Sequence, residues 1–193
     1  MSIAMQEWPR RHRISVAHYY RMAEAGLFEP DERVELIDGE IVDMPPMGAR
    51  HAGKLSRLVD MVSKAVGARG IVRCQLPLRL GDLSEPQPDI VVARPRADYY
   101  ENHHPAADEA LLAVELGDTT LRFDRDVKAP LYARHGVPEL WIVDLRAERL
   151  LTFQAPTDGR YTVIEERALG PMHVAELPGV IVDLEPLQSR PAA

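Results

Sequence analysis

Three short stretches, Pro88 to Ala93 (PDIVVA), Ala110 to Leu116 (ALLAVEL) and Glu139 to Leu145 (ELWIVDL), are almost continuously apolar. A strand with one wet face alternates polar and apolar positions, so uninterrupted runs of this length mark strands buried on both faces. Such strands oblige the rest of the chain to cover two sides of one sheet. Two segments have the pattern to do so. Arg50 to Val66 carries Leu55, Leu58, Val59, Val62 and Val66 on one helical stripe, and Leu121 to His135 resumes helical spacing through Leu131 and Tyr132 before Gly136 stops it. Pro130 leaves two readings of the second helix: it starts near Asp126 with the proline in its first turn, or it kinks.

Around these elements, Ser15 caps a first helix within Arg13 to Gly26, with Val16, Tyr19, Tyr20 and Ala23 at helical spacing. Arg33 to Met44 forms a hairpin about Asp38-Gly39, a pair that tolerates the positive φ of a type I′ turn. Ile71 to Leu80 alternates as a strand that Pro77 interrupts, and Arg149 to Gln154 pairs with Arg160 to Glu165 across Pro156 to Gly159 as a closing hairpin. The order of elements predicts an α+β fold with an α/β-type mixed sheet. At 193 residues the chain fits one domain, expected over 13–186, with an arm at 1–12 and a polar tail at 187–193.

Composition removes several function classes. Cys74 is the one cysteine, which excludes an internal disulfide and any multi-cysteine zinc site. A formal charge of −7 argues against broad adhesion to nucleic acid through a basic surface, while leaving room for a local basic groove. No stretch approaches the roughly 18 uninterrupted apolar residues of a membrane span. Met1 to Arg13 lacks the apolar segment of a signal peptide, so a cytoplasmic protein with no membrane association is expected. No glycine-rich phosphate loop points to ATP or NAD.

The chemistry is sought where charge interrupts apolar strands. Asp89 lies in the PDIVVA run and Glu115 in ALLAVEL. An ionised carboxylate in low dielectric costs several kcal/mol unless it is paired, hydrogen-bonded or bound to a metal. Two of them on neighbouring strands repel, and a hard divalent cation with oxygen ligands stabilises both. The plainer alternative is that strand ends put each in water or opposite an arginine. Lys128 follows Glu115 by 13 residues, in a helix that returns across the sheet, where an ammonium is able to orient or deprotonate a metal-bound water and offset phosphorane charge. The alternative is a solvated surface lysine. Glu35, in the first hairpin, is a further candidate ligand or water-orienting base, against a solvent-facing hairpin position.

Three blocks, ERVELIDGEIVDMPPMGARHAGKL, LPLRLGDLSEPQPDIVV and LLAVELGDTTLRFDRDVKAPLYARHGVPELWIVDL, resemble a bacterial restriction endonuclease family, once a domain of unknown function, within the PD-(D/E)XK nuclease superfamily. The resemblance covers about residues 13 to 185. It implies a core of helix, three strands, helix and strand, and metal-dependent cleavage of DNA. Asp89 matches the aspartate of PD, Glu115 the acidic residue of (D/E)XK, and Glu35 the glutamate of ELIDGE. The pattern's lysine, two positions after Glu115, is replaced by Gly117, and Lys128 in RDVKAPLYA takes over in the following helix. On this basis Asp89, Glu115 and the Leu116 carbonyl bind Mg²⁺ or Mn²⁺, Lys128 handles the attacking water, and Glu35 supports the metal or its water shell. Arg50 and His51, at the start of the long helix, are candidate phosphate contacts, the alternative for His51 being a histidine with no ligand role.

DNA is the implied partner, and a homodimer would cut both strands of a duplex most simply. Two rivals share the fold: a degenerate module that binds nucleic acid or protein, and a metal-dependent hydrolase of another phosphodiester. His103-His104, Tyr99-Tyr100 and Cys74 read as loop, packing and an inert thiol, and Asp124 to Asp126 as helix caps or local ion pairs, with Asp118 or Asp124 able to serve as an outer ligand.

Overall fold

A computed structural model of the chain describes residues 11–29 and 31–189. Most of the expected arm at 1–12, and the end of the tail, therefore lie outside the described residues. Helix α1 (Val16–Glu24) is capped by the Ser15 hydroxyl, which accepts the His18 amide N–H. Strands β1 (Val34–Ile37) and β2 (Glu40–Asp43) form the first hairpin, with Asp38 and Gly39 at φ of 48° and 79°. A Cβ at Gly39 would lie 2.6 Å from that of Arg13, so this turn needs glycine for space as well as for φ.

Helix α2 (Ala49–Val66) leads into β3 (Ile71–Cys74), β4 (Ile90–Ala93) and β5 (Ala110–Gly117). The chain returns through α3 (Leu121–Phe123), a π-helical turn (Asp124–Lys128) and α4 (Ala129–Arg134) to β6 (Glu139–Asp144), then β7 (Arg149–Thr157) and β8 (Arg160–Ala168). These strands make one six-stranded sheet in the order β3-β4-β5-β6-β7-β8, antiparallel except for the parallel pair β5 and β6. The mixed α+β architecture of the sequence reading is the one observed, with its helix, three strands, helix and strand at the centre.

The sheet separates two cores. Ile90, Val92, Leu112, Val114, Leu116, Trp141 and Val143 face α2 and the C-terminal segment. Val91, Ala93, Ala113, Leu140 and Ile142 face α4, with Leu131 and Tyr132. Alternation along a strand thus turns Asp89 and Glu115 toward α4, and Glu139 toward the α2 side.

Four readings of the sequence change. The strand expected over Ile71 to Leu80 ends at Cys74, because Gln75 adopts φ 50° and Pro77 brings no amide to a ladder. Leu78 and Leu80 are buried in a loop instead, their amides donating to the Pro86 and Ser84 carbonyls. The closing hairpin is longer than expected, turning at Asp158-Gly159 and carrying Pro156 inside β7. Pro130 does lie in the first turn of α4, but that helix starts at Ala129 and not near Asp126, following a widened turn in which the Ala129 amide donates to the Asp124 carbonyl five residues back. The polar tail begins later than Leu187, which is buried with its carbonyl accepting from Lys54, while the Ser189 amide donates to Glu148. Ahead of it, β9 (Pro171–His173) and β10 (Ile181–Asp183) form a small hairpin absent from the sequence reading. Among the described residues no helix is long and apolar enough to cross a membrane.

Candidate active site

The C-terminal end of β5 forms the floor of a cavity of about 500 Å³ lined by Glu35, His51, Asp89, Glu115, Asp124 and Lys128 among others. Asp89 immediately precedes β4, whose Ile90 pairs with Val114, so it comes beside Glu115. The Leu116 amide donates to Asp89 Oδ2 at 2.8 Å, and the Asp89 amide approaches Glu115 Oε2 at 3.4 Å. Asp89 Oδ1 meets His51 Nε2 at 3.3 Å and accepts the Gln75 side-chain amide at 3.1 Å.

Lys128 reaches the same point from the helical return. Its Nζ lies 3.2 Å from Glu35 Oε1 and 3.3 Å from Glu115 Oε1, with all three side chains buried. Gly117, where the superfamily pattern has lysine, has no room for one: a Cβ there would lie 2.9 to 3.0 Å from Leu121 as the chain turns into α3. Glu35 is buried rather than on a solvent face, and its Oε2 accepts the Gln87 amide at 3.0 Å. Arg50 points elsewhere, donating to the Leu145 carbonyl at 2.7 Å, and does not line the cavity.

Burial sets the protonation of the floor. It pushes the Glu115 carboxyl up to about 8, with Asp124, Asp89 and Glu35 adding to the rise and Lys128 opposing it. Asp124 is likewise raised by burial, to about 6. Burial works against the Lys128 ammonium, but Glu115, Glu35 and Asp124 outweigh it and hold the lysine protonated above its ordinary range. For Asp89 burial is overcome by bonds from His51, the Leu116 amide and Gln75, and the group stays below the usual carboxylate value. The same bond raises His51.

One ammonium thus faces three buried carboxyl groups, Glu35, Glu115 and Asp124, more acids than it can neutralise and an excess of hard oxygen donors. That donor set fits a divalent cation of the Mg²⁺ type. Among the described residues no three His, Cys, Asp or Glu side chains already converge as a ligand cage, since each carboxylate is drawn to a protein donor.

Two participants, Tyr132 and Gln75, were not legible in sequence, and a third, Asp124, was legible only as an alternative. Tyr132, fully buried, donates its hydroxyl to Glu115 Oε1 at 2.7 Å. Asp124, expected as a cap or local ion pair with an outer-ligand role as the alternative, is buried in the cavity wall and accepts the Thr120 hydroxyl at 2.8 Å. Gln75 fixes Asp89 from a left-handed backbone position. The spacing of Asp124, Lys128 and Tyr132 at intervals of four on one helix was the available signal.

The family model described as "Uma2: Putative restriction endonuclease" matches residues 16–185. No curated protein matches the chain. Among solved structures, that of "a putative nuclease belonging to DUF820 from Anabaena variabilis ATCC 29413" is 19% identical, with a TM-score of 0.64 over 90% of this chain and 97% of the other. At that identity the likeness concerns the fold.

Proposed function

The chain belongs to the Uma2 family of restriction-endonuclease-like proteins, and from that premise we propose that it is a metal-dependent endonuclease hydrolysing DNA phosphodiester bonds at the Asp89–Glu115 floor. The observation that carries the reading is the convergence of Lys128 with Glu115 at 3.3 Å, although the usual lysine position is filled by Gly117. A lone structural ion pair does not account for Asp89, Asp124 and Glu35 gathered around it.

Asp89, Glu115 and the Leu116 carbonyl are the groups that would hold Mg²⁺ or Mn²⁺, which when bound supplies an acidified water and polarises the scissile phosphate. Tyr132 and Lys128 both engage Glu115 Oε1, while Oε2 lies 3.4 Å from the Asp89 amide. Lys128, held protonated, donates to the attacking water and offsets the charge that builds on phosphorus as one P–O bond forms and the ester P–O bond breaks. This gives the lysine an orienting role in preference to that of a base. Glu35 fixes Lys128 through Oε1 while its other oxygen is tied to the Gln87 amide. His51, on Asp89 and on the cavity lining, is the proposed phosphate contact.

The test is cleavage of plasmid and circular single-stranded DNA in Mg²⁺ or Mn²⁺ against EDTA, beside Asp89→Ala, Glu115→Ala and Lys128→Ala. Metal-dependent cleavage lost in the first two and strongly reduced in the third is expected. Cleavage that survives EDTA, or Asp89→Ala, would overturn the assignment.

A further inference from the structure

The open end of the first hairpin carries a cation with no part in the chemistry so far. Arg33 immediately precedes β1, and its carbonyl accepts the Met44 amide, which extends the pairing of β1 and β2 by one step. Side chains alternate along such a segment, so Arg33 projects to the face of Glu35 and not to that of Val34. Both line the cavity. Arg33 is half-buried there and also lines a second hollow beside Tyr19, Phe28 and Glu32, so it stands on the rim between the two.

The charges around the cavity are uneven. Six carboxyl groups, Glu35, Asp43, Asp89, Glu115, Asp118 and Asp124, share the lining with Arg33, Lys128 and His51. Lys128 is engaged by Glu35 and Glu115, and His51 by Asp89. Among the described residues the Arg33 guanidinium has no such partner. Glu32, next to it in sequence, turns back to accept the Glu29 amide at 2.9 Å.

A half-buried guanidinium that has lost water without gaining an anion is stabilised by an anion that enters beside it. A phosphodiester is the anion that the nuclease reading brings to this cavity, and its two unesterified oxygens match the planar fork of an arginine. The scissile phosphate belongs on the floor, with Lys128 and the metal-binding carboxylates. The rim faces its neighbour along the strand.

Building on the nuclease reading, we propose that Arg33 is a DNA-binding residue that grips a backbone phosphate flanking the scissile one, two guanidinium N–H groups donating to its free oxygens. It offsets the acidic lining as the backbone enters and holds the strand in register over Asp89 and Glu115. The contact is made to the backbone, so it selects no base.

Fluorescence anisotropy of a labelled duplex in Ca²⁺, titrated with KCl, tests this for the wild type, Arg33→Gln, Arg33→Lys and Arg160→Ala. Arg160 opens β8 at the end of the sheet away from Glu115 and controls for the loss of one surface charge. Arg33→Gln is expected to bind about tenfold more weakly and to lower the slope of log Kobs against log[KCl] by about one, Arg33→Lys to keep the slope, and Arg160→Ala to change neither. In Mn²⁺-dependent cleavage Arg33→Gln should raise KM about tenfold and leave kcat within about twofold, because a flanking contact is held equally before and during the reaction. Calorimetric Mn²⁺ binding by Arg33→Gln should match the wild type, and its loss would make the residue structural and overturn the proposal. An unchanged slope and KM in Arg33→Gln, or a slope in Arg33→Lys as low as that of Arg33→Gln, would overturn it too while leaving the nuclease reading intact. An Arg33-dependent slope without cleavage by the wild type would support the proposal and overturn the nuclease reading alone.

Discussion

Glu115 and Glu139 lie on neighbouring parallel strands, β5 and β6, and both are almost wholly removed from water. Glu139 is met by neutral donors: Trp141 Nε1 at 2.8 Å and Gln154 Nε2 at 2.6 Å on Oε1, and the Ala175 amide at 2.8 Å on Oε2. Burial raises its pKa, and those bonds oppose the rise. It ties the C-terminal segment to the α2 face of the sheet. Glu115 lies on the other face, toward the opposite ends of the two strands, with Lys128 and Tyr132 on Oε1 and a cavity before it that also holds Asp89 and Asp124. Two carboxylates at the edges of apolar runs therefore do different things. A buried acid whose oxygens are filled by fixed neutral donors is architecture, whereas one that shares too little positive charge with other acids is available to a cation.

That contrast is sharpest under substitution. Glu115→Gln should lower metal-dependent cleavage by about a thousandfold with little loss of fold, since the amide keeps the shape of the protonated carboxyl but cannot ionise to hold a cation. A plasmid-nicking assay beside a melting curve checks it, and retained activity would break the comparison. Glu139→Ala should do the reverse, costing roughly 2 kcal/mol in urea unfolding because it strands the buried Trp141 indole N–H and removes the acceptor of the partly buried Gln154 and Ala175 amides. A variant as stable as the wild type would show that those donors find water.

The pH dependence separates the two glutamates next. Folded Glu115 keeps its proton up to about 8, against an ordinary 4.5. Between those values the folded chain binds more protons than the unfolded one, so metal-free stability should fall as pH rises through the window. Glu115→Gln should flatten that fall, and Mg²⁺ should restore stability at the upper end in the wild type but not in the variant. Melting temperatures in EDTA and in Mg²⁺ across pH 5 to 9 (about that range) decide it. The smallest expected effect is that of Tyr132→Phe, about 1 kcal/mol of stability, with weaker calorimetric Mg²⁺ binding as Glu115 loses its anchor.

Much of the frame is legible in the sequence. The three apolar runs became β4, β5 and β6, the α2 stripe packs on one face of the sheet, and Asp38-Gly39 turns as its residue types require. Asp89 and Glu115 stood out for the same reason that makes them unusual, charge within apolar strands. The misreadings share a cause as well. Leu78 and Leu80 are apolar and buried yet form no strand, and Leu187 is sealed under Lys54, because burial there depends on distant segments and not on local period. Asp124 was open to two readings, a cap or local ion pair and an outer ligand, and only the packing of the return helix buries it beside the cavity with Lys128.

The sequence by itself determined which strands had to be interior, where the chain turned, and that Asp89 and Glu115 needed partners, since periodicity, turn chemistry and the cost of buried charge are local properties. Only the tertiary structure decided which partners they have. Glu139 carries a comparable signature to Glu115, and Gly117 gives no hint that Leu121 closes its space or that the Lys128 ammonium comes within 3.3 Å of Glu115. Those outcomes depend on which face of the sheet each side chain meets and on what the return helix brings there, and such distances are fixed by packing across the fold and not by spacing along the chain.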